Sequence, residues 1–191
     1  MATKKPVESY EMKITLMHIA PLIWRRVLVP KDVTLGTLHH VIQRVMDWED
    51  AHLHEFQIGT KRYGLGESNE SGFAEDDESI DEDTMRLSEV AKPNAKFTYH
   101  YDFGDDWIHE IHIERETEAQ AGKRRASCIA GARACPPDDC GGPPGYARML
   151  RILRNPKHEE YEEMLEWVED DFDPKRFDQE SAERRLSKLK V

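Results

Sequence analysis

The chain has 191 residues, 38% of them hydrophobic, which is enough for one packed core without disulfide or metal staples. Lys+Arg 27 against Asp+Glu 38 leaves a formal charge of -11, which argues against a surface built to grip nucleic-acid backbone. No run of 18 apolar residues occurs, the first ten residues lack the apolar segment of a signal peptide, and three cysteines fit reduced thiols, so a cytoplasmic setting without a membrane is expected.

After a tail at 1–9, Tyr10, Met12, Ile14 and Leu16 alternate with Glu11, Lys13 and Thr15, the pattern of a half-buried strand. Pro21 breaks that run. A second strand follows over 22–29, with Leu22, Trp24, Arg26 and Leu28 on one side and Ile23, Arg25, Val27 and Val29 on the other. From Leu35 the period becomes helical (Leu35, Leu38, Ile42, Val45), with Asp32 or Thr34 as the cap. A third strand is predicted over 53–58, ending at Gly59. Residues 67–83 carry nine carboxylates and no Lys or Arg, which predicts a solvated loop; the spacing lacks the glycine of an EF-hand.

A helical turn over 87–90 leads to two strands, 96–102 and 107–115, joined by Phe103-Gly104-Asp105-Asp106, a sequence suited to a turn with positive φ. Residues 116–145 are expected to be irregular: a basic patch (Lys123, Arg124, Arg125), then a loop stiffened by Pro136, Pro137, Pro143 and Pro144. From 146 to 191 three amphipathic stripes predict a helical appendix, the last one capped by Asp178. The order is that of an α+β fold: one domain over 10–191, in which a mixed sheet of about five strands with one packed helix (10–115, β-grasp or ubiquitin-like in order) precedes a C-terminal helical region.

Histidines at 52, 54, 100, 109 and 112 cluster around these strands. His54 shares a face with Phe56 and Ile58, and His109 interrupts the apolar face Trp107, Ile111, Ile113, so both point inward with Asp102, Asp105 and Asp106 close in sequence. Two inward imidazoles and a carboxylate suit a cleft for a polar ligand or a metal; satisfied core histidines are the plainer alternative. His109-Glu110-Ile111-His112 is no metal motif, because on a strand positions three apart face opposite ways. Cys128, Cys135 and Cys140 form a second candidate, a structural zinc site completed by a His or Asp, although their spacing is not that of a zinc knuckle. Asp138 and Asp139 are read as binding loop amides. No phosphate loop, dinucleotide fingerprint or nucleophile elbow is present.

Four blocks carry a resemblance: Ile19-Ala20-Pro21-Leu22-Ile23-Trp24-Arg25-Arg26, Trp48-Glu49-Asp50-Ala51-His52-Leu53-His54-Glu55-Phe56, Tyr101-Asp102-Phe103-Gly104-Asp105-Asp106-Trp107-Ile108-His109 and Cys135-Pro136-Pro137-Asp138-Asp139-Cys140-Gly141-Gly142-Pro143-Pro144-Gly145-Tyr146. Together they resemble the signature of the plasmid pRiA4b ORF-3-like family, from about residue 10 to the C-terminus. The resemblance implies an α+β domain with a ubiquitin-like sheet and leaves activity open. Some members are labelled resolvase-like, but this acidic chain lacks the serine or tyrosine constellation and the basic helix-turn-helix that strand exchange needs.

These readings lead to a non-enzymatic cytoplasmic binding module whose cleft is lined by His54, Asp102, Asp106, Trp107 and His109, with Trp24 and Arg26 contributing and the 135–145 loop folded over it. The expected partner is a small polar ligand or a protein. The rivals are a metal-dependent, hydrolase-like enzyme using the same His/Asp cluster, and a structural or interaction domain.

Overall fold

The computed structural model describes residues 7–65, 79–119, 125–168 and 172–189. Strand β1 (Val7–Leu16) begins three residues earlier than its alternation predicts and pairs antiparallel with β2 (Ile23–Pro30). Helix α1 (Leu35–Met46) starts where the Thr34 hydroxyl accepts the Thr37 N–H at 3.1 Å, and it stops at Asp47, whose φ of 70° lets its N–H reach back to the Gln43 carbonyl. Its apolar stripe, Leu35, Leu38, Ile42 and Val45, is fully buried against the sheet.

Strand β3 (His54–Ile58) turns through Gly59, at φ +63°, into β4 (Lys61–Gly64), beside which β5 (Ile80–Asp81) runs parallel. A 3-10 turn (Glu82–Thr84) and the short α2 (Leu87–Val90) lead to β6 (Lys96–Tyr101) and the long β7 (Trp107–Ala119). Strand β8 (Ser127–Ala132) precedes α3 (Gly142–Leu153), α4 (Tyr161–Trp167) and α5 (Gln179–Ser187). The result is an α+β fold on one mixed sheet, in the order β5-β4-β3-β6-β7-β1-β2-β8.

That sheet has eight strands rather than the expected five. The three additions were hidden for physical reasons. Strands β4 and β5 are too short to show alternation, and β8 (Ser-Cys-Ile-Ala-Gly-Ala) lies in a stretch rich in small residues. Its outer edge is covered by α5: Glu183 accepts the Cys128 N–H, and the Gln179 amide donates to the Cys128 carbonyl at 3.2 Å. The acidic loop needs correction at its end, because Glu82 is only 3% exposed; residues 66–78 lie outside the described residues. So do Lys123 and Arg124 of the basic patch.

Cross-strand register puts Leu16, His109, Tyr99 and Phe56 in one row, and Trp107, Tyr101 and His54 in the next. All are buried on the face that α1 covers. On this face Arg25 is buried and held by carbonyls: its Nε donates to the Val45 carbonyl at 2.8 Å and its Nη1 to the carbonyls of Trp24 and Ala132. A cation at the last turn of α1 complements the helix dipole, and its guanidinium lies 4.1 Å from the Phe177 ring centre. The opposite face is polar. There Arg26 makes a two-pronged pair with Glu114 at 2.7 and 2.8 Å, beside Trp24 and Lys13.

Candidate functional site

The two inward histidines belong to different environments. His54 stacks on His39 of α1, with ring centres 3.5 Å apart and planes 6° from parallel, while its Nε2 meets both carboxylate oxygens of Glu82 at 3.0 and 2.9 Å. His39 in turn lies between the Tyr99 hydroxyl, 2.7 Å from Nδ1, and Asp50 Oδ1, 2.7 Å from Nε2. Burial first, and then the neighbouring His54, pushes the His39 pKa down to about 3, so the ring is neutral and has one proton. The Gln43 amide donates to the Tyr99 oxygen at 3.0 Å, which leaves the phenol proton for His39 Nδ1 and puts the imidazole proton on Nε2, facing Asp50. Every member of this chain is satisfied, and it ties α1 to the sheet.

His109 is wholly buried. Its Nδ1 is the donor toward the carbonyls of Trp107 (3.1 Å) and Tyr99 (3.4 Å), and its ring lies edge-on to Trp48. Burial pushes its pKa down to about 3 as well. Its Nε2, like Trp107 Nε1, has no hydrogen-bond partner among the described residues. The remaining predicted residues do not join it. Asp106 reaches His100 Nε2 at 2.8 Å, and strand alternation puts Trp24 and Arg26 on the polar outer face. The proposed cleft of His54, Asp102, Asp106, Trp107, His109, Trp24 and Arg26 is therefore divided between the two sides of the sheet.

The three thiols are not gathered into a ligand set either. The described residues hold two sets of three metal-ligating side chains within 4.8 Å of one another, and neither includes a cysteine, His54 or His109. Cys128 points to the Ala130 carbonyl and Cys135 to the Met46 sulfur. Burial pushes the thiols up to about 11 (Cys128) and about 12 (Cys135 and Cys140), so none is poised as a thiolate.

What the structure does bring together is three of the four sequence blocks. The Trp48 indole donates to the Pro136 carbonyl at 2.9 Å, and Asp138 Oδ2 accepts the Glu49 N–H at 3.1 Å. Asp105 Oδ2 accepts the Gly141 N–H at 3.0 Å. A methyl built on Gly142, at φ +66°, would overlap the Asp105 carbonyl oxygen, so this close approach of two turns requires glycine. The Tyr101 hydroxyl accepts the Ala51 N–H at 3.2 Å.

At this junction Asp102 Oδ1 holds the turn, accepting the N–H groups of Gly104 (2.9 Å) and Asp105 (3.2 Å), while Oδ2 faces His52 Nε2 at 3.7 Å. Asp139 Oδ1 lies 3.1 Å from the same nitrogen. Asp102 and Asp139 both adopt left-handed backbone, with φ of 55° and 57°. Sequence reading missed His52 and Asp139. It assigned the Asp138–Asp139 pair to loop amides, a role that Asp138 fills, and alternation drew attention to His54. The available signal was that three turn-forming blocks each carry a His or Asp next to a residue suited to positive φ.

Two clefts flank the Pro136–Cys140 loop. The smaller, of about 300 Å³, is lined by Asp139, Cys140, Arg148, Met149, Glu160, Glu163, Met164 and Trp167. The larger, of about 1000 Å³, includes Arg25, Trp48, Cys135 and Phe177 in its walls. Among the described residues no helix is long and apolar enough to cross a membrane.

The chain belongs to the plasmid pRiA4b ORF-3-like protein family, whose profile matches residues 8–181. It is 41% identical over 157 residues to the uncharacterized protein y4hQ of Sinorhizobium fredii (strain NBRC 101917 / NGR234), covering 82% of this chain and 78% of that protein. The crystal structure of a protein of unknown function, MM3350 from Methanosarcina mazei Go1, superposes with a TM-score of 0.82 at 37% identity, covering 91% of this chain and 96% of that one. Neither of these two relatives has a stated activity.

Proposed function

We propose that this protein is a non-enzymatic cytoplasmic binding module, working as one domain, that holds an alkylammonium group in the 300 Å³ cleft beside the Pro136–Cys140 loop. The lining carries this reading. Trp167 is 49% exposed, an unusual outlay for so large an aromatic, and it shares the cleft with Met149 and Met164. Three carboxylates, Asp139, Glu160 and Glu163, face one cation, Arg148, whose guanidinium is already paired with Glu160. An indole face beside an excess of carboxylates over cations attracts an ammonium ion through its quadrupole and through charge. The chain's charge of -11 adds a field that gathers cations. Three free thiols are consistent with a reducing compartment. The β1–β2 hairpin leading into a helix packed on the sheet supports the β-grasp-like reading of the platform, while the antiparallel β1–β7 pair extends it.

Calorimetry on the full chain with spermidine, and separately with an N-acetyl-lysine amide, tests the proposal and separates a free amine from a protein side chain. One saturable site for either amine is expected, weakened about 3- to 10-fold in both W167A and E163Q. Diffuse, non-saturating heats that neither substitution alters would refute it. The metal-dependent enzyme remains the second reading because His52, Asp102 and Asp139 converge at the edge of the same cleft.

A further inference from the structure

We infer that His52, Asp102 and Asp139 form a site for one divalent transition-metal ion, which shares Asp139 with the amine cleft but does not rest on the amine-binding reading. Each residue comes from a different turn: His52 from the segment before β3, Asp102 from the β6–β7 turn, and Asp139 from the loop before α3. Their ligating atoms lie within 4.8 Å of one another.

The state of His52 distinguishes this set from the other. His39, His40 and Asp50 also sit within that limit, but there the Gln43–Tyr99–His39–Asp50 chain already places a proton between imidazole and carboxylate. His52 Nε2 is closed off from solvent and makes no aligned hydrogen bond among the described residues, although two carboxylate oxygens stand 3.1 and 3.7 Å away. Those separations suit a shared ion. Donors about 2.1 Å from a metal lie ~3.1 Å apart at an angle of roughly 95° and ~3.7 Å apart at roughly 125°, inside the range of four- to six-coordinate sites.

The surroundings hold the donors without consuming them. Asp102 commits Oδ1 to two backbone N–H groups and leaves Oδ2 toward His52. This is the kind of support that orients a metal-ligating carboxylate. Asp139 is carried by a loop pinned at Trp48–Pro136, Glu49–Asp138 and Asp105–Gly141. One neutral imidazole and two carboxylates balance a 2+ charge. The mixed nitrogen and oxygen set selects zinc, manganese or iron(II) over calcium, which prefers oxygen alone. Three protein donors leave coordination positions for water or a ligand at the rim of the cleft that Asp139 lines.

The test is calorimetric titration of the chelator-stripped full chain with ZnCl2 and with MnCl2, alongside D139N, H52A and the triple Cys128→Ser, Cys135→Ser, Cys140→Ser variant. The expected result is close to one ion per chain, with affinity reduced more than about tenfold in D139N and H52A and retained in the triple variant. Asp139 is 74% exposed at its side chain, so D139N reports on the site even if H52A loses its fold. Absence of binding by the wild-type chain overturns the inference. So does binding that survives D139N, or binding that depends on the thiols alone. E163Q and W167A, which leave His52, Asp102 and Asp139 in place, are expected to weaken amine binding while metal affinity stays unchanged, so the two proposals fail separately.

Discussion

Acid should destabilise this protein well above the carboxylate range, and His109 offers the cleanest measure of why. Its native pKa is about 3, held down by burial, whereas the unfolded imidazole titrates near 6.5. Between those limits the unfolded chain takes the proton and the native chain does not, so stability falls as the pH falls. The loss is RT ln(1 + 10^(6.5 − pH)), which is under ~0.1 kcal/mol at pH 7.5 and ~2 kcal/mol at pH 5. Burial pushes His39 in the same direction, so its titration adds to the loss. The ~2 kcal/mol from His109 alone is a considerable share of the ~5–15 kcal/mol typical of a domain.

The perturbation to make is His109→Asn. The new amide keeps a donor near the position of Nδ1 and cannot be protonated. It loses ring contact with Trp48 and Tyr99, so a pH-independent cost of ~1–3 kcal/mol is expected. Urea unfolding of wild type and variant at about pH 7.5, 6 and 5 isolates the titration, because every other group is common to both proteins. Their stability difference should shrink by ~2 kcal/mol from pH 7.5 to pH 5, with unchanged m-values. A gap that stays constant with pH would show that His109 binds its proton equally in both states, and the argument from burial would be wrong.

Two further outcomes follow from the same packing. Gly142→Ala puts a methyl against the Asp105 carbonyl oxygen at a residue with φ +66°, so it should destabilise by ~2–4 kcal/mol. That is a fall in Tm of roughly 4–16 °C for a chain of this size, and an unchanged Tm would mean the two turns are not docked. The thiols, pushed up to about 11 or 12 by burial, should react with a thiol-specific disulfide reagent at about pH 8 at least ~100-fold more slowly than free cysteine; rapid labelling of the folded chain would contradict their burial.

Alternation and helical spacing reported local facts accurately. They predicted the β1–β2 hairpin, α1 with a cap at Asp32 or Thr34 (the structure uses Thr34), the β6–β7 pair, the α5 cap at Asp178, and the inward faces of His54 and His109. Each depends on neighbours within a few residues, where propensity and the side-chain period act directly. They missed β8 because Ser-Cys-Ile-Ala-Gly-Ala has little strand preference of its own; pairing with β2 and cover from α5 make it a strand.

The amino-acid sequence by itself determined an acidic α+β chain, its family and most of its element order. Which functional groups meet was decided by tertiary structure alone. His54 and His109 share an inward face, yet one is matched to Glu82 and the other to backbone carbonyls, from chain segments that no local pattern links. His52, Asp102 and Asp139 lie 50 and 37 residues apart in successive blocks, and they converge because the turn at Gly142 docks on the β6–β7 turn at one end of the sheet. Period and propensity act over one or two turns of chain, whereas a site is set by long-range closure, and that is decided only when the whole core packs.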